Sequence, residues 1–306
     1  MSTSAPSDEN KARGILLAVT AFALFSVMDV TVKLLTARYS VPQVIASQNF
    51  FALLVILAYA AATGGIRHHL GTRRLPLHLL RAAGVVCGSF CTYFAYSRMP
   101  IADAYAIAFS APLFITALSV PILREPVGWR RWSAVAVGFA GVLVMLRPGQ
   151  GVLDLAALAA LGGAFFYAGG MIIARHMKGT ESSVSFACFG NLAGLVVYGA
   201  MLPWLGRVPD GVDLALSALG GTLSGTAMIT LLTAFRCAPS AVVAPFQYTQ
   251  IIWGILYGVL LFGTRPDGLL FVGGAIVIAS GLYILYRETV LGRPLVAPSR
   301  SPDSLS

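Results

Sequence analysis

Inside the first apolar run of this chain, Asp29 and Lys33 stand four residues apart. That is about one helical turn, so the two side chains share a face and can pair. Ionisable groups are costly in hydrocarbon and mark proton, ion or substrate sites. Either Lys33 snorkels outward and Asp29 neutralises it, or Asp29 faces a cavity and binds a proton or a cationic group. A second pattern lies further on, where Gln247, Gln250, Trp253 and Tyr257 recur at three- and four-residue spacing. Amides are disfavoured against lipid, so this polar and aromatic stripe faces protein or water. It is either interhelical hydrogen bonding with ordinary packing or a cavity wall whose rings receive flat or cationic cargo. Pro245, just ahead, frees a backbone carbonyl, which is tolerated best beside a cavity.

Other residues could line the same space. Tyr105 shares a helix face with Phe109 and Pro112, Tyr93 and Tyr96 end the third apolar run, Tyr167 lies in the sixth, and Thr226 and Thr230 lie in the eighth. The substrate-binding candidates are therefore Gln247, Gln250, Trp253, Tyr257, Tyr105, Tyr96, Tyr167 and Thr226, with Asp29 and Lys33 as candidates for coupling or charge. Gln250 falls about 15 Å into its span, close to the centre of a hydrocarbon core about 30 Å thick. Asp29 falls about 8 Å nearer the outer mouth by the same rise. Asn49 and Asn191 read as helix-to-helix glue, and Arg98 with Asp103 as a surface pair across a short outer turn.

Several chemistries find no pattern. No GxxxxGK[ST] loop offers an ATP site. None of His68, His69, His78 and His176, all expected in inner loops, forms HExxH, and no GxSxG elbow occurs. Cys87 and Cys91 are one turn apart, but nothing completes a metal site, and with Cys188 and Cys237 they read as small packing residues. No cofactor and no metal are expected. The chain is not read as an enzyme. An intramembrane acyl or glycosyl transferase is a remote alternative, since such enzymes usually need a His or paired carboxylates and a catalytic loop. A receptor or purely structural role is equally remote.

The elements that must carry these residues follow from composition. Of 306 residues, 57% are hydrophobic and 11% charged, less than half the charge usual in soluble domains; mean hydropathy is +0.80. A soluble domain could not hide that much apolar surface. Ten apolar runs stand between breakers, at about 14–35, 42–62, 81–97, 102–123, 132–146, 153–173, 182–201, 214–235, 240–262 and 268–286. The first is too long for a signal-peptide core and is read as a retained helix. The polar first ten residues and the Pro- and Ser-rich tail are expected to be disordered. Glu125-Pro126 and Arg147-Pro148-Gly149 read as helix stops.

With the N-terminus inside, the inner segments hold fifteen of the 21 Lys and Arg residues, and the outer ones only Lys33, Arg38, Arg98, Arg147, Arg207 and Arg265. That positive-inside bias accounts for the net charge of +9 without a nucleic-acid partner. The expectation is a multi-pass protein of the inner (plasma) membrane with both termini cytoplasmic. The bilayer is one partner and a small metabolite another, with protons or another coupling ion as a third; the chain is a monomer or homodimer.

An internal repeat appears at an offset of about 140 residues. Tyr96-Ser-Arg-Met-Pro-Ile-Ala matches Phe235-Arg-Cys-Ala-Pro-Ser-Ala, Gly141-Val-Leu-Val-Met-Leu-Arg147 matches Gly281-Leu-Tyr-Ile-Leu-Tyr-Arg287, and Gly84 to Gly88 pairs with Gly221 to Gly225. Five spans per half put the second half in the membrane upside down, the architecture of secondary transporters. The expected organisation is a tail at 1–13, repeats at 14–147 and 148–287, and a tail at 288–306.

The motifs Met99-Pro-Ile-Ala-Asp-Ala-Tyr-Ala, Ala111-Pro-Leu-Phe, Leu123-Arg-Glu-Pro, Gly138-Phe-Ala-Gly-Val and Ala238-Pro-Ser-Ala-Val-Val-Ala-Pro-Phe-Gln-Tyr resemble those of the drug/metabolite transporter superfamily, specifically its ten-helix EamA type. The resemblance runs from about Gly14 to Tyr286. It implies an all-α membrane protein of ten transmembrane helices in two inverted five-helix repeats around a central cavity. It also implies secondary transport of a small polar or amphipathic metabolite by alternating access, more often export. The alternative is uptake of a vitamin or cofactor such as riboflavin or S-adenosylmethionine. The glutamate that closes the fourth helix in the family stands here as Glu125, whereas its second-half counterpart is Thr264 or Arg265.

Overall fold

The computed structural model describes residues 8–66, 72, 74–123, 128–146, 154–177 and 181–287. The expectations for Glu125-Pro126, Arg147-Pro148-Gly149, His68, His69 and most of both tails lie outside these residues. The described chain is helical throughout: α1 (Asp8–Thr36), α2 (Val41–Ala62), α3 (Leu75–Arg98), α4 (Ile101–Ala108), α5 (Ala111–Leu123), α6 (Trp129–Leu146), α7 (Leu155–His176), α8 (Ser183–Gly199), α9 (Leu202–Leu205), α10 (Gly211–Cys237), α11 (Ser240–Val243), a 3₁₀ segment Ala244–Thr249, α12 (Gln250–Phe262) and α13 (Gly268–Tyr286). Eight of the helical stretches are long and apolar enough to cross a membrane, counting α4 and α5 as one, while α8 at 17 residues is shorter. The remaining apolar stretch, 240–262, is broken into α11, the 3₁₀ segment and α12.

Local chemistry explains the ends. Pro42 and Pro76 sit in the first turns of α2 and α3, where a missing N–H costs nothing. Asp154, Ser182, Asp210 and Asp267 cap α7, α8, α10 and α13 through their side chains. Several boundaries differ from the sequence reading; α7, for one, runs through His176, which was expected in an inner loop. Asp8, Glu9 and Asn10, expected to be disordered, already belong to α1, and Glu9 suits its positive end. Helix α3 begins six residues before Arg81, so His78 is a buried helical residue rather than part of a loop. The fourth run is not one helix: it breaks at Phe109 and Ser110, because Pro112 lacks the N–H that would bind the Ala108 carbonyl and its ring crowds that carbonyl.

Packing carries the repeat. Helix α1 lies against α10, as α7 lies against α3; α2 meets α10, as α8 meets α3; and α2 with α8, α6 with α13 and α4 with α12 pair across the two halves. The matched turns share their backbone: Met99 and Ala238 are both extended, and each donates its N–H four residues back, to Ala95 and Ala234. The turn after α3 lies at the C-terminal end of α1, where Lys33 Nζ reaches Met99 O at 2.7 Å. The turn after α10 lies at the other end, with Gly14 against Ala238. Equivalent helices of the two halves therefore run in opposite directions, and the repeat is inverted.

Glycines let the helices close. A Cβ on Gly221 would come within 2.6 Å of Gln48 O, and one on Gly225 within 2.8 Å of Ala52 O, both backbone atoms of α2. Gly225→Val should therefore part α2 from α10 and destabilise the protein by about 1–3 kcal/mol, read as a lower Tm in detergent. Gly169→Ala, inside α7 with nothing within 4 Å of the added Cβ, should not lower Tm and should raise it slightly through helix propensity.

Candidate functional site

Asp29 does not pair with Lys33. Its carboxylate is 4% exposed and accepts hydrogen bonds from Tyr105 Oη at 2.5 Å and Tyr96 Oη at 3.4 Å. Lys33 turns away and donates to the carbonyls of Tyr96 at 2.9 Å and Met99 at 2.7 Å, with its ammonium 5.5 Å from the Phe262 ring centre. A cation on the C-terminal carbonyls of α3 complements that end of the helix dipole. Thus α1 is tied to α3 and α4 by one carboxylate and one ammonium used separately, not by an ion pair between the two.

Beside this knot lies a polar relay that the sequence reading missed. Tyr93 Oη donates to Gln48 Oε1 at 3.1 Å, and Gln48 Nε2 donates to Thr31 Oγ1 at 3.0 Å. Gln48 and Thr31 are both buried. The available signal was Gln48 itself, an amide in mid-span of the kind that drew attention to its neighbour Asn49. Gly220 makes the relay possible, because any Cβ there would collide with Thr31 Oγ1 and Gln48. Asn49 abuts Gly194 of α8, and Asn191 bonds back to Ala187 O at 2.9 Å within its own helix.

The stripe on α12 borders this cluster. Gly254 packs on Tyr105, where a Cβ would lie 2.8 Å from the ring. At about 100° per residue, Ile252, Leu256, Val259 and Leu260 form one exposed apolar face, Gly254 and Gly258 form the buried one, and Gln250, Trp253 and Tyr257 lie between, half-buried. Trp253 and Tyr257 stack with ring centres 6.1 Å apart. Gln247 is half-buried in the 3₁₀ segment, where Pro245 interrupts the α-helix. Neither the Gln247 nor the Gln250 amide finds a hydrogen-bond partner among the described residues. Tyr248 meets Phe109 edge-on at 4.9 Å, so the two mid-span helix breaks face each other.

Two candidates lie elsewhere. Thr226 is exposed, on a face with Leu219 and Thr222 that turns away from the Gly220 and Gly221 contacts. Tyr167 is 53% exposed on α7, outside the Asp29 cluster. A separate pocket of about 580 Å³ opens at the Arg38 end of the bundle, lined by Thr36, Tyr39, Phe90, Phe94 and Arg98 among others. It holds none of the stripe, and Arg98 stands over the Phe94 ring at 5.5 Å.

The knot predicts a graded response. Asp29→Leu strands two tyrosine hydroxyls and should cost about 1–3 kcal/mol per stranded group, lowering Tm by several degrees. Asp29→Asn retains an acceptor for Tyr105 and should lower Tm less. Equal losses in the two variants would contradict the hydrogen-bonded role.

The sequence profile described as the EamA-like transporter family matches residues 12–147 and again 154–287. The chain is 30% identical over 288 residues to a riboflavin transporter of Vibrio cholerae, covering 92% of this chain and 95% of that protein. It is 28% identical to an S-adenosylmethionine uptake transporter of Rickettsia prowazekii, covering 90% and 93%, and 24% identical to a pseudopaline exporter of Pseudomonas aeruginosa, covering 87% and 94%. A solved crystal structure superposes with a TM-score of 0.63 at 20% identity, over 94% of this chain and 99% of its own. With the profile matched twice along nearly its whole length, this chain belongs to the EamA-like transporter family, within the drug/metabolite transporters, and is a multi-span membrane transporter rather than an enzyme.

Proposed function

We propose that this transporter takes up a flat heteroaromatic vitamin of the riboflavin class across the inner membrane, by alternating access and without ATP. One observation carries the choice: two half-buried amides without hydrogen-bond partners among the described residues, Gln247 and Gln250, stand beside the stacked Trp253 and Tyr257. Rings supply flat apolar area, and amides read the polar edge of a heterocycle. Riboflavin transporters among the relatives support the same class, and the uptake proteins among them favour uptake over the export that resemblance alone suggested. The two repeats, taken as 14–147 and 148–287, rock about this site, and the charge bias of the loops supports cytoplasmic termini. Asp29 is the coupling group, binding a proton when the Tyr96 and Tyr105 bonds open.

A second reading is uptake of a sulfonium cation such as S-adenosylmethionine, favoured by the buried carboxylate of Asp29 among tyrosine rings. It ranks below the first because that carboxylate is already held by two hydroxyls and hidden from solvent.

Purified protein in liposomes, loaded without ATP and given a pH gradient, should accumulate labelled riboflavin. Gln250→Leu should slow uptake about tenfold, the effect of losing one hydrogen bond worth about 1.4 kcal/mol. Accumulation of labelled S-adenosylmethionine but not riboflavin would replace the first reading by the second. Uptake that required ATP would refute secondary transport.

A further inference from the structure

The two ends of the bundle are closed by corresponding contacts of different chemistry. At one end, Arg38 and Tyr39, in the connection ahead of α2, reach Asp213 in the first turn of α10. Arg38 Nη1 lies 3.0 Å from Oδ1 and 3.1 Å from Oδ2, and Tyr39 Oη lies 2.8 Å from Oδ2. At the other end, Glu181, in the connection ahead of α8, reaches His78 in the first turn of α3, with Nε2 3.2 Å from Oε2. Thr72 donates to the other carboxylate oxygen at 2.7 Å. Exchanging α2 with α8 and α3 with α10, as the inverted repeat does, turns one contact into the other. Asp213 holds the Arg38 guanidinium above its usual range by hydrogen bonding and charge, so Arg38 keeps its charge at every physiological pH. Histidine is the side chain whose charge ordinarily changes between about pH 5 and 8.

We propose that His78 and Glu181 form a proton-binding site that fastens their end of the bundle, the titratable counterpart of the fixed-charge clasp made by Arg38, Tyr39 and Asp213. Both side chains are almost fully buried, at 1% and 3% exposure. The imidazole lies 5.3 Å from the Phe186 ring centre and 4.5 Å from that of Phe189. One proton on the ring turns a hydrogen bond from neutral imidazole to the Glu181 carboxylate into an ion pair in a dry setting, where charges attract more strongly.

The neighbouring polar groups leave that proton as the variable. Ser185 of α8 stands 3.5 Å from Nε2. Arg81, one turn along α3, is held by Phe186 O at 3.0 Å and by the Phe186 ring, with Tyr167 of α7 within electrostatic reach. Arg74 opens α3 and gives its backbone N–H to Thr72 Oγ1. On the α2 and α10 side, Arg236 binds Tyr59 Oη at 3.2 Å. The imidazole Nδ1 has no partner among the described residues, so charging the ring leaves one N–H unanswered there. The ion pair with Glu181 must outweigh that cost, which sets a balance a proton can tip. Acidification therefore fastens α3 to the connection ahead of α8, until the carboxylate itself is protonated.

As a step in alternating access this rests on the transporter reading, but the closure itself can be measured without substrate. Spin labels at Leu79 and Ser183, in full-length protein freed of its native cysteines and held in nanodiscs, would report the distance across the His78 contact. Between pH 8.5 and 6 that distance should shorten and its distribution narrow. Labels at Ser40 and Val212, across the Arg38 contact, should not respond. His78→Gln keeps a donor without a titration and should abolish the change. A wild-type distance that ignores pH overturns the proposal on its own, as does a His78→Gln protein that responds like the wild type.

Discussion

A polar group inside a bilayer has no water to fall back on, so the protein must answer each one itself. In this chain that constraint organises the packing of α1. Asp29 is answered by Tyr105 and Tyr96, Lys33 by the carbonyls ending α3, and Thr31 by Gln48, which Tyr93 completes. The partners lie on three other helices, α2, α3 and α4. Satisfying three side chains of α1 therefore fixes where α2, α3 and α4 must lie, and Gly220 brings α10 onto the same spot because it has no side chain. The α12 stripe differs in that its two amides are not answered within the described protein, the observation on which the proposed substrate contact rests.

How much of this was legible follows from what the sequence signals depend on. The membrane class, the helical runs and the repeat rest on composition and local pattern, and the paired cap geometry of Met99 and Ala238 bears out the turn motif at atomic detail. The importance of Asp29, Tyr96 and Tyr105 was also visible, because charge in hydrocarbon is rare. Their pairing was not. Spacing places Lys33 beside Asp29 on one helix face, but tyrosines from two other helices compete for the carboxylate, and only tertiary structure decides that contest. Thr226 illustrates the converse: a threonine on a long helix shows no preference in the sequence for cavity or lipid, and it faces away from the cluster. His78 was misplaced because Pro76, a helix starter, stands close to basic residues that resemble a loop.

The inverted halves share geometry more closely than chemistry. Their turns and end clasps correspond, but the matched glycines do not: Gly84 and Gly88 of α3 face Phe166 of α7, whereas Gly221 and Gly225 of α10 face α2; and Asp29 and Lys33 have no charged counterparts about 140 residues on, where Gly169 and Ile173 stand. The symmetric frame supplies two related ways to close, and in the proposed mechanism the unsymmetric polar residues select the cargo and its coupling.

The central claim is that the stripe beside this knot receives a flat ring. It is tested most directly by titrating purified protein in nanodiscs into riboflavin and following flavin fluorescence, which stacking on an aromatic side chain quenches. The account predicts saturable quenching that Trp253→Ala largely removes and Thr226→Ala leaves intact. Quenching that does not saturate, or that survives Trp253→Ala undiminished, would contradict it.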